Sequence, residues 1–219
     1  MTPDLFRAEG TSRLQALGFE IAVERRRIAD LRMRSGRLVA CDPFDSPETE
    51  PFEVEIPSGR YPVYIVTADL RDTVSIAFLM VEFSDQPATR WELAHLLGDE
   101  HEKQPWNDPA HAGFQVESGV AALVDEEGAQ TAIDRMSTEA GEDDFNRLVR
   151  REIAKTRRAN TSRSGWASVE IDEINLIVLE VDNGTYKTHL GRDPDGNPAL
   201  LVVDLGVLDI QFTPYGLRF

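Results

Sequence analysis

Alternation of apolar and polar positions governs both ends of the chain, while a 3.6-residue period appears in its middle. The stretch Ile28 to Arg34 alternates from Ala29 onward, Ser35-Gly36 supplies a turn, and Arg37 to Cys41 resumes an extended pattern. Together these predict a hairpin. A second hairpin is predicted from Tyr61 to Leu70 and Thr73 to Phe83, closed by Arg71-Asp72. A third joins Thr185 to Arg192 with Pro198 to Leu205, because in the intervening Asp193-Pro194-Asp195-Gly196-Asn197 the proline pre-sets φ and the glycine accepts positive φ. Leu176 to Val181 reads as a further strand, joined to the third hairpin through Asp182-Asn183-Gly184. Phe145, Leu148, Val149 and Ile153 share one helical face. In that helix Glu142, Asp143 and Asp144 occupy the first turn and Lys155, Arg157 and Arg158 the last, which complements the helix dipole. Further helices are predicted over Glu126 to Thr138 and Arg90 to Leu97, with proline-bearing loops over Asp42 to Gly59 and Gly98 to Gly113. The fold class expected is α+β: mainly antiparallel sheet, as one twisted sheet or two packed sheets, with two or three inserted helices in a single domain over residues 1–219.

Composition narrows the class. With 219 residues, 41% hydrophobic and 28% charged, the chain can bury a core and departs from collagen-like, disordered and disulfide-framework compositions. It carries 39 acids against 23 bases, a formal net charge of −16. A field of that sign repels phosphate backbones and anionic lipid, so neither nucleic acid nor membrane is an expected partner. The charge is uneven: residues 41–145 hold 24 acids and 5 bases, and residues 146–165 hold 7 bases and 1 acid. Cys41 is the single cysteine and allows no internal disulfide. The first ten residues lack the apolar core of a signal peptide, and the apolar run Ile76 to Val81 is far short of the roughly 20 residues that span a bilayer. A soluble, cytoplasmic protein is the expectation.

Candidate chemistry is sparse. The sequence has no phosphate-cradling glycine loop and no Gly-x-Ser-x-Gly, so no cofactor is assigned. Cys41 ends a strand with no histidine near it in sequence and reads as a small buried hydrophobe. Were the helix from Arg90 to continue past Gly98, His95, Asp99 and Glu102 would stand at i, i+4 and i+7, with His101 and His111 close in sequence. Gly98 weakens the helix at that point, so the segment reads as solvated acids beside a half-buried histidine, and no metal is assigned. The basic stretch Arg147 to Arg163 lacks interleaved aromatics; its arginines are expected to face the acidic block, within the molecule or across a homodimer.

Several segments in series, Gly36 to Pro43, Pro51-Phe52 and Pro57 to Val63, then Gly113 to Gly119 followed by Asp125, then Gly184-x-Tyr186, Gly191-Arg192-Asp193 and Leu201 to Leu205, resemble the largely bacterial domain-of-unknown-function family number 4241. The likeness runs from about residue 30 onward and implies an α+β domain built on antiparallel sheet, with no established activity. Where that family usually shows Ser-Gly-Trp-Gly-Asp-Gly, this chain has Leu179 to Gly184, so Asn183 stands in place of an aspartate and cannot act as an acid or base.

Polar residues at strand ends admit two roles. Asp42, Arg60, Tyr61, Tyr186 and Asp204 either cap neighbouring backbone or converge at one end of a sheet to line a pocket. Two functions follow. One is a non-enzymatic protein-binding module of immunity or antidote type, whose acidic surface docks a basic protein. The other is a small-molecule hydrolase using the strand-end Asp, Arg and Tyr groups, with metal assistance from His95 or His111.

Overall fold

The computed structural model describes residues 6, 9–16, 18–98, 113–159, 164–208, 210–213 and 216–218. It contains two packed sheets with helices on one outer face. The larger sheet is built from β1 (Gly10–Ala16), β2 (Phe19–Met33), β4 (Gly59–Asp69), β5 (Val74–Glu82), β12 (Pro198–Asp204), β11 (Gly184–Arg192) and β6 (Arg90–Leu93), in that spatial order. A short strand, β7 (Phe114–Val116), shares the open edge of β11 with β6, at the other end. The smaller sheet runs β3 (Leu38–Cys41), β8 (Val120–Asp125), β10 (Ile174–Glu180) and β9 (Trp166–Ile171). All the pairings within these two sheets are antiparallel. Helices α1 (Glu126–Met136) and α2 (Glu139–Ala159) follow β8, and a short β13 (Gln211–Thr213) and β14 (Gly216–Arg218) pair with each other near the C-terminus.

Parity of side chains explains the layering. In β8, Ala121 and Leu123 face the larger sheet, whereas Val120, Ala122 and Val124 face the helices. Both faces are apolar, as expected of a sheet covered on both sides. Phe145, Val149 and Ile153 of α2 are buried against the smaller sheet, the face that their spacing predicts. The larger sheet packs its inner face, including Val63, Leu79, Val81 and Leu201, on the smaller one; its outer face carries Tyr64, Phe78, Met80 and Val202 beneath Phe6, Leu208 and Ile210.

Two hairpins and two helices lie where the sequence places them: β4–β5 turns at Arg71, with φ 75°, and β11–β12 turns at Gly196, with φ 89°. Two expectations are corrected. The first hairpin does not form, because β2 pairs with β1 and β4 while β3 crosses to the smaller sheet and pairs with β8. The corner between them is held by Asp125, whose carboxylate accepts hydrogen bonds from the Arg34 and Ser35 N–H groups and from the Ser35 hydroxyl. Next, Arg90 to Leu97 is not a helix: Arg90–Leu93 is a strand paired with Arg192–His189, with Trp91 and Leu93 buried at alternate positions. β10 is a strand where the sequence places it, and the chain crosses from it to β11 of the other sheet at 181–183.

One side chain splices the two sheets. Asn175 of β10 is buried, donates to Asp30 O and Ser168 Oγ at 2.8 Å each, and accepts from Arg32 N–H at 3.0 Å. It thus pairs with the edge of β2 beyond the point where β1 stops.

Candidate functional site

From Asp42 to Gly59 the chain holds six acids and no base. Four prolines exclude regular structure there, yet the segment is fixed at both ends and along its length. At its start Asp42 is fully buried, and its carboxylate accepts hydrogen bonds from the N–H groups of Phe44, Asp45, Glu117 and Ser118 and from the Ser118 hydroxyl, at 2.6–3.2 Å. Burial alone would raise its pKa; the hydrogen bonds from Ser118, Phe44 and Glu117 outweigh it and hold the carboxyl below its ordinary value. At the other end the Tyr61 hydroxyl donates to Pro57 O at 2.6 Å, its ring stands edge-on to Phe83, and burial raises its pKa.

Between these clamps Phe52 and Ile56 are buried in the core shared by the two sheets. Their N–H groups donate to Leu38 O and Gly36 O, Glu53 N–H donates to His95 O, and Leu97 N–H donates to Pro51 O. With the apolar side chains turned inward, Asp45, Glu48, Glu50, Glu53 and Glu55 are left exposed. Asp45, Glu48, Glu50 and Glu55 make no ion pair among the described residues. Some exposed acids elsewhere do, Glu20 with Arg13, Glu170 with Arg32, Glu173 with Arg34 and Asp172 with Arg135, while others such as Glu24 and Asp72 do not. Leu97, hydrogen-bonded to Pro51 in this loop, is 40% exposed and is the one exposed large hydrophobic among the described residues.

Further acids adjoin the loop. Phe44 meets Phe145 edge-on at 6.0 Å, which sets the start of the loop beside the first turns of α2, where Glu142, Asp143 and Asp144 are exposed. The bases of α2 are spent nearer home. Arg147 pairs with Asp144, Arg151 and Lys155 with Glu152, and Arg157 with Glu180, while the Arg150 guanidinium sits 5.1 Å from the Phe44 ring centre. None of these bases makes an ion pair with a loop acid among the described residues, although Arg150 rests on the loop through Phe44.

The five strand-end residues do not share one pocket. Asp42 and Tyr61 clamp the acidic loop. Arg60 is exposed at the start of β4, opposite Arg32. Val63, Val81 and Leu201 lie in register across three strands; Tyr61 precedes this row by two residues and Asp204 follows it by three, a separation of roughly 16 Å along the strands. Tyr186 and Asp204 stand near one end but on opposite faces, since Asp204 is paired with Lys187 and Tyr186 packs in the inner core, its hydroxyl donating to Asp182 O. On the outer face, burial raises the Asp204 pKa to about 6, and burial followed by the Lys187 charge lowers that of His189 to about 3.

The other candidates resolve as follows. Burial pushes the Cys41 thiol up to about 12, far from a thiolate at neutral pH. His95 follows a strand rather than lying in a helix, so the helical spacing that would join it to Asp99 and Glu102 is lost. His101, His111, Asp99 and Glu102 lie outside the described residues, and among the described residues no three His, Cys, Asp or Glu side chains are grouped to hold a metal ion. Among them, too, no helix is long and apolar enough to cross a membrane.

The sequence had flagged Asp42 and Tyr61 as strand-end polar groups but not the inward Phe52 and Ile56. Their alternation with Glu53 and Glu55 was the available signal.

No curated protein and no solved structure matches the chain significantly. The model of a protein family of unknown function, DUF4241, matches residues 31–203, from the second half of β2 through β12, and the chain belongs to that family.

Proposed function

We propose that this is a protein-binding module without catalytic activity, and that the loop from Asp42 to Gly59 is its docking surface for a basic protein. The observation that carries this reading is the set of exposed carboxylates Asp45, Glu48, Glu50 and Glu55, which make no ion pair among the described residues and stand on a loop clamped at both ends by Asp42 and Tyr61. Unneutralised charge of one sign steers a partner of the other and speeds encounter. A loop that is already ordered loses little entropy on docking, so more of its interaction energy remains as affinity. Exposed Leu97, hydrogen-bonded to Pro51 of the loop, adds an apolar contact beside the charges. A partner whose own site is built for phosphates, such as a nuclease toxin, fits this surface, and the loop would then act as an immunity or antidote element by occupying that site.

Capture by immobilised full-length protein at low ionic strength, followed by elution with rising salt, tests the reading. A basic protein released at moderate salt supports it, since screening lengths fall to about 8 Å at physiological ionic strength. Capture that is indifferent to salt contradicts it.

A further inference from the structure

The crossing between the two sheets carries an unused reactive pair. Asn183-Gly184 is the only Asn-Gly dipeptide in the sequence, and both residues are exposed where the chain leaves β10 for β11. The Asn183 amide makes no hydrogen bond among the described residues. A Cβ placed on Gly184 would meet nothing within 4 Å, so no side chain from elsewhere crowds this glycine, which opens β11 opposite Val116 at the end of the three-residue β7. We infer that Asn183 is a site of spontaneous deamidation through a cyclic imide with Gly184.

In the first step the Gly184 backbone nitrogen loses its proton to base and attacks the Asn183 side-chain carbonyl carbon. A C–N bond forms, the amide C–N bond breaks, and ammonia leaves with a proton taken from solvent. Water then opens the five-membered ring at either carbonyl, giving aspartate or isoaspartate at 183. No oxidation change occurs, and water is the only co-reactant. Either product adds a negative charge beside Asp182, whose backbone oxygen accepts the Tyr186 hydroxyl. The isoaspartate form also inserts a methylene into the main chain immediately before the strand that holds Tyr186.

A control is built into the same segment. Asn175 is buried and has both ends of its amide hydrogen-bonded, so its carbonyl carbon is shielded from attack. Full-length protein incubated at mildly alkaline pH and digested with trypsin places both asparagines between Arg163 and Lys187. Fragment-ion mass spectrometry then locates the mass gain of amide-to-acid conversion. The expected result is gain at 183 with none at 175, faster at higher pH, accompanied by isoaspartate. Gly184→Ala, which the open space around Gly184 tolerates, suppresses the gain while leaving the melting temperature unchanged. Absence of gain at 183, equal gain at 175, or undiminished gain in the Gly184→Ala protein overturns the inference.

Discussion

Replacing Asp42 by Asn probes how the acidic loop is held. The substitution keeps size and shape but exchanges one acceptor oxygen for an NH2 donor. Oδ1 accepts from Phe44 N–H, Asp45 N–H and the Ser118 hydroxyl, and Oδ2 from Glu117 N–H and Ser118 N–H. Whichever way the new amide turns, its donor faces two backbone N–H groups that now bond the carboxylate. Each stranded buried donor costs about 1–3 kcal/mol, so the variant loses roughly 4 kcal/mol. In a domain of this size that corresponds to a drop of roughly 8–16 °C in melting temperature. Urea unfolding at pH 7, read as a shift in midpoint at constant slope, measures the loss. The sign of the pH dependence follows from the lowered pKa. Asp42 contributes its stability above 3.8, its ordinary value, and loses it as pH falls through the lower folded-state value, so the gap between wild type and Asp42→Asn closes in strong acid. A loss below about 1 kcal/mol at pH 7 would refute the claim that this carboxylate organises the loop.

Other consequences are open to measurement. Asn175→Ala removes the three hydrogen bonds that splice β10 to β2 and β9, and a loss of about 2–3 kcal/mol is expected in thermal or urea unfolding. Asp204→Asn separates one pH effect: with a folded-state pKa near 6 against 3.8, Asp204 costs stability above pH 6 and ceases to do so as pH falls toward 4, by at most about 3 kcal/mol, so the variant is the more stable protein at pH 7. His189 acts in the opposite direction, because a folded-state value near 3 against 6.5 means that stability declines as pH drops below 6.5; His189→Leu removes that decline. Cys41 in the folded protein is expected to react with thiol reagents only as fast as the protein unfolds, and rapid labelling under native conditions would contradict its burial.

Local signals made much of the fold legible. The hairpins at Arg71-Asp72 and Asp193 to Asn197 join strands adjacent in sequence, so alternation and turn chemistry suffice to define them. The two helices are set by the periods of Ala129 and Ala132 and of Phe145, Val149 and Ile153. What escaped depends on distant partners. Ser35-Gly36 has the composition of a hairpin turn, but Asp125, ninety residues on, makes it a corner between sheets. At 90–97, Leu93, Leu96 and Leu97 fit helical spacing while Trp91 and Leu93 fit a strand, and the open edge of β11 decides the outcome. The β1–β2 hairpin is hidden because Arg25 stands at a covered position on the outer face of β2, beside Val23 and Tyr64. It is buried through its pairing with Glu82 and its guanidinium lies 3.6 Å from the Tyr64 ring centre, so a charge occupies what the pattern would reserve for an apolar residue.

The site was legible only in its composition. The density of acids at 42–59 is visible in the sequence, whereas the pairing of Arg147 and Lys155 of α2 with acids of their own helix is a matter of where those side chains lie. Asp204 and Tyr186 both stand near strand ends, and one step of strand parity puts them on opposite faces.

The most direct test compares two triple charge reversals of equal size in the capture experiment, Glu48→Lys/Glu50→Lys/Glu55→Lys in the loop and Glu24→Lys/Asp72→Lys/Asp195→Lys elsewhere on the exposed surface. The account predicts that the first set abolishes retention of the basic partner and the second leaves it largely intact. Equal loss from both sets would mean that net charge alone governs capture, and no loss from the first would remove the loop as the docking surface.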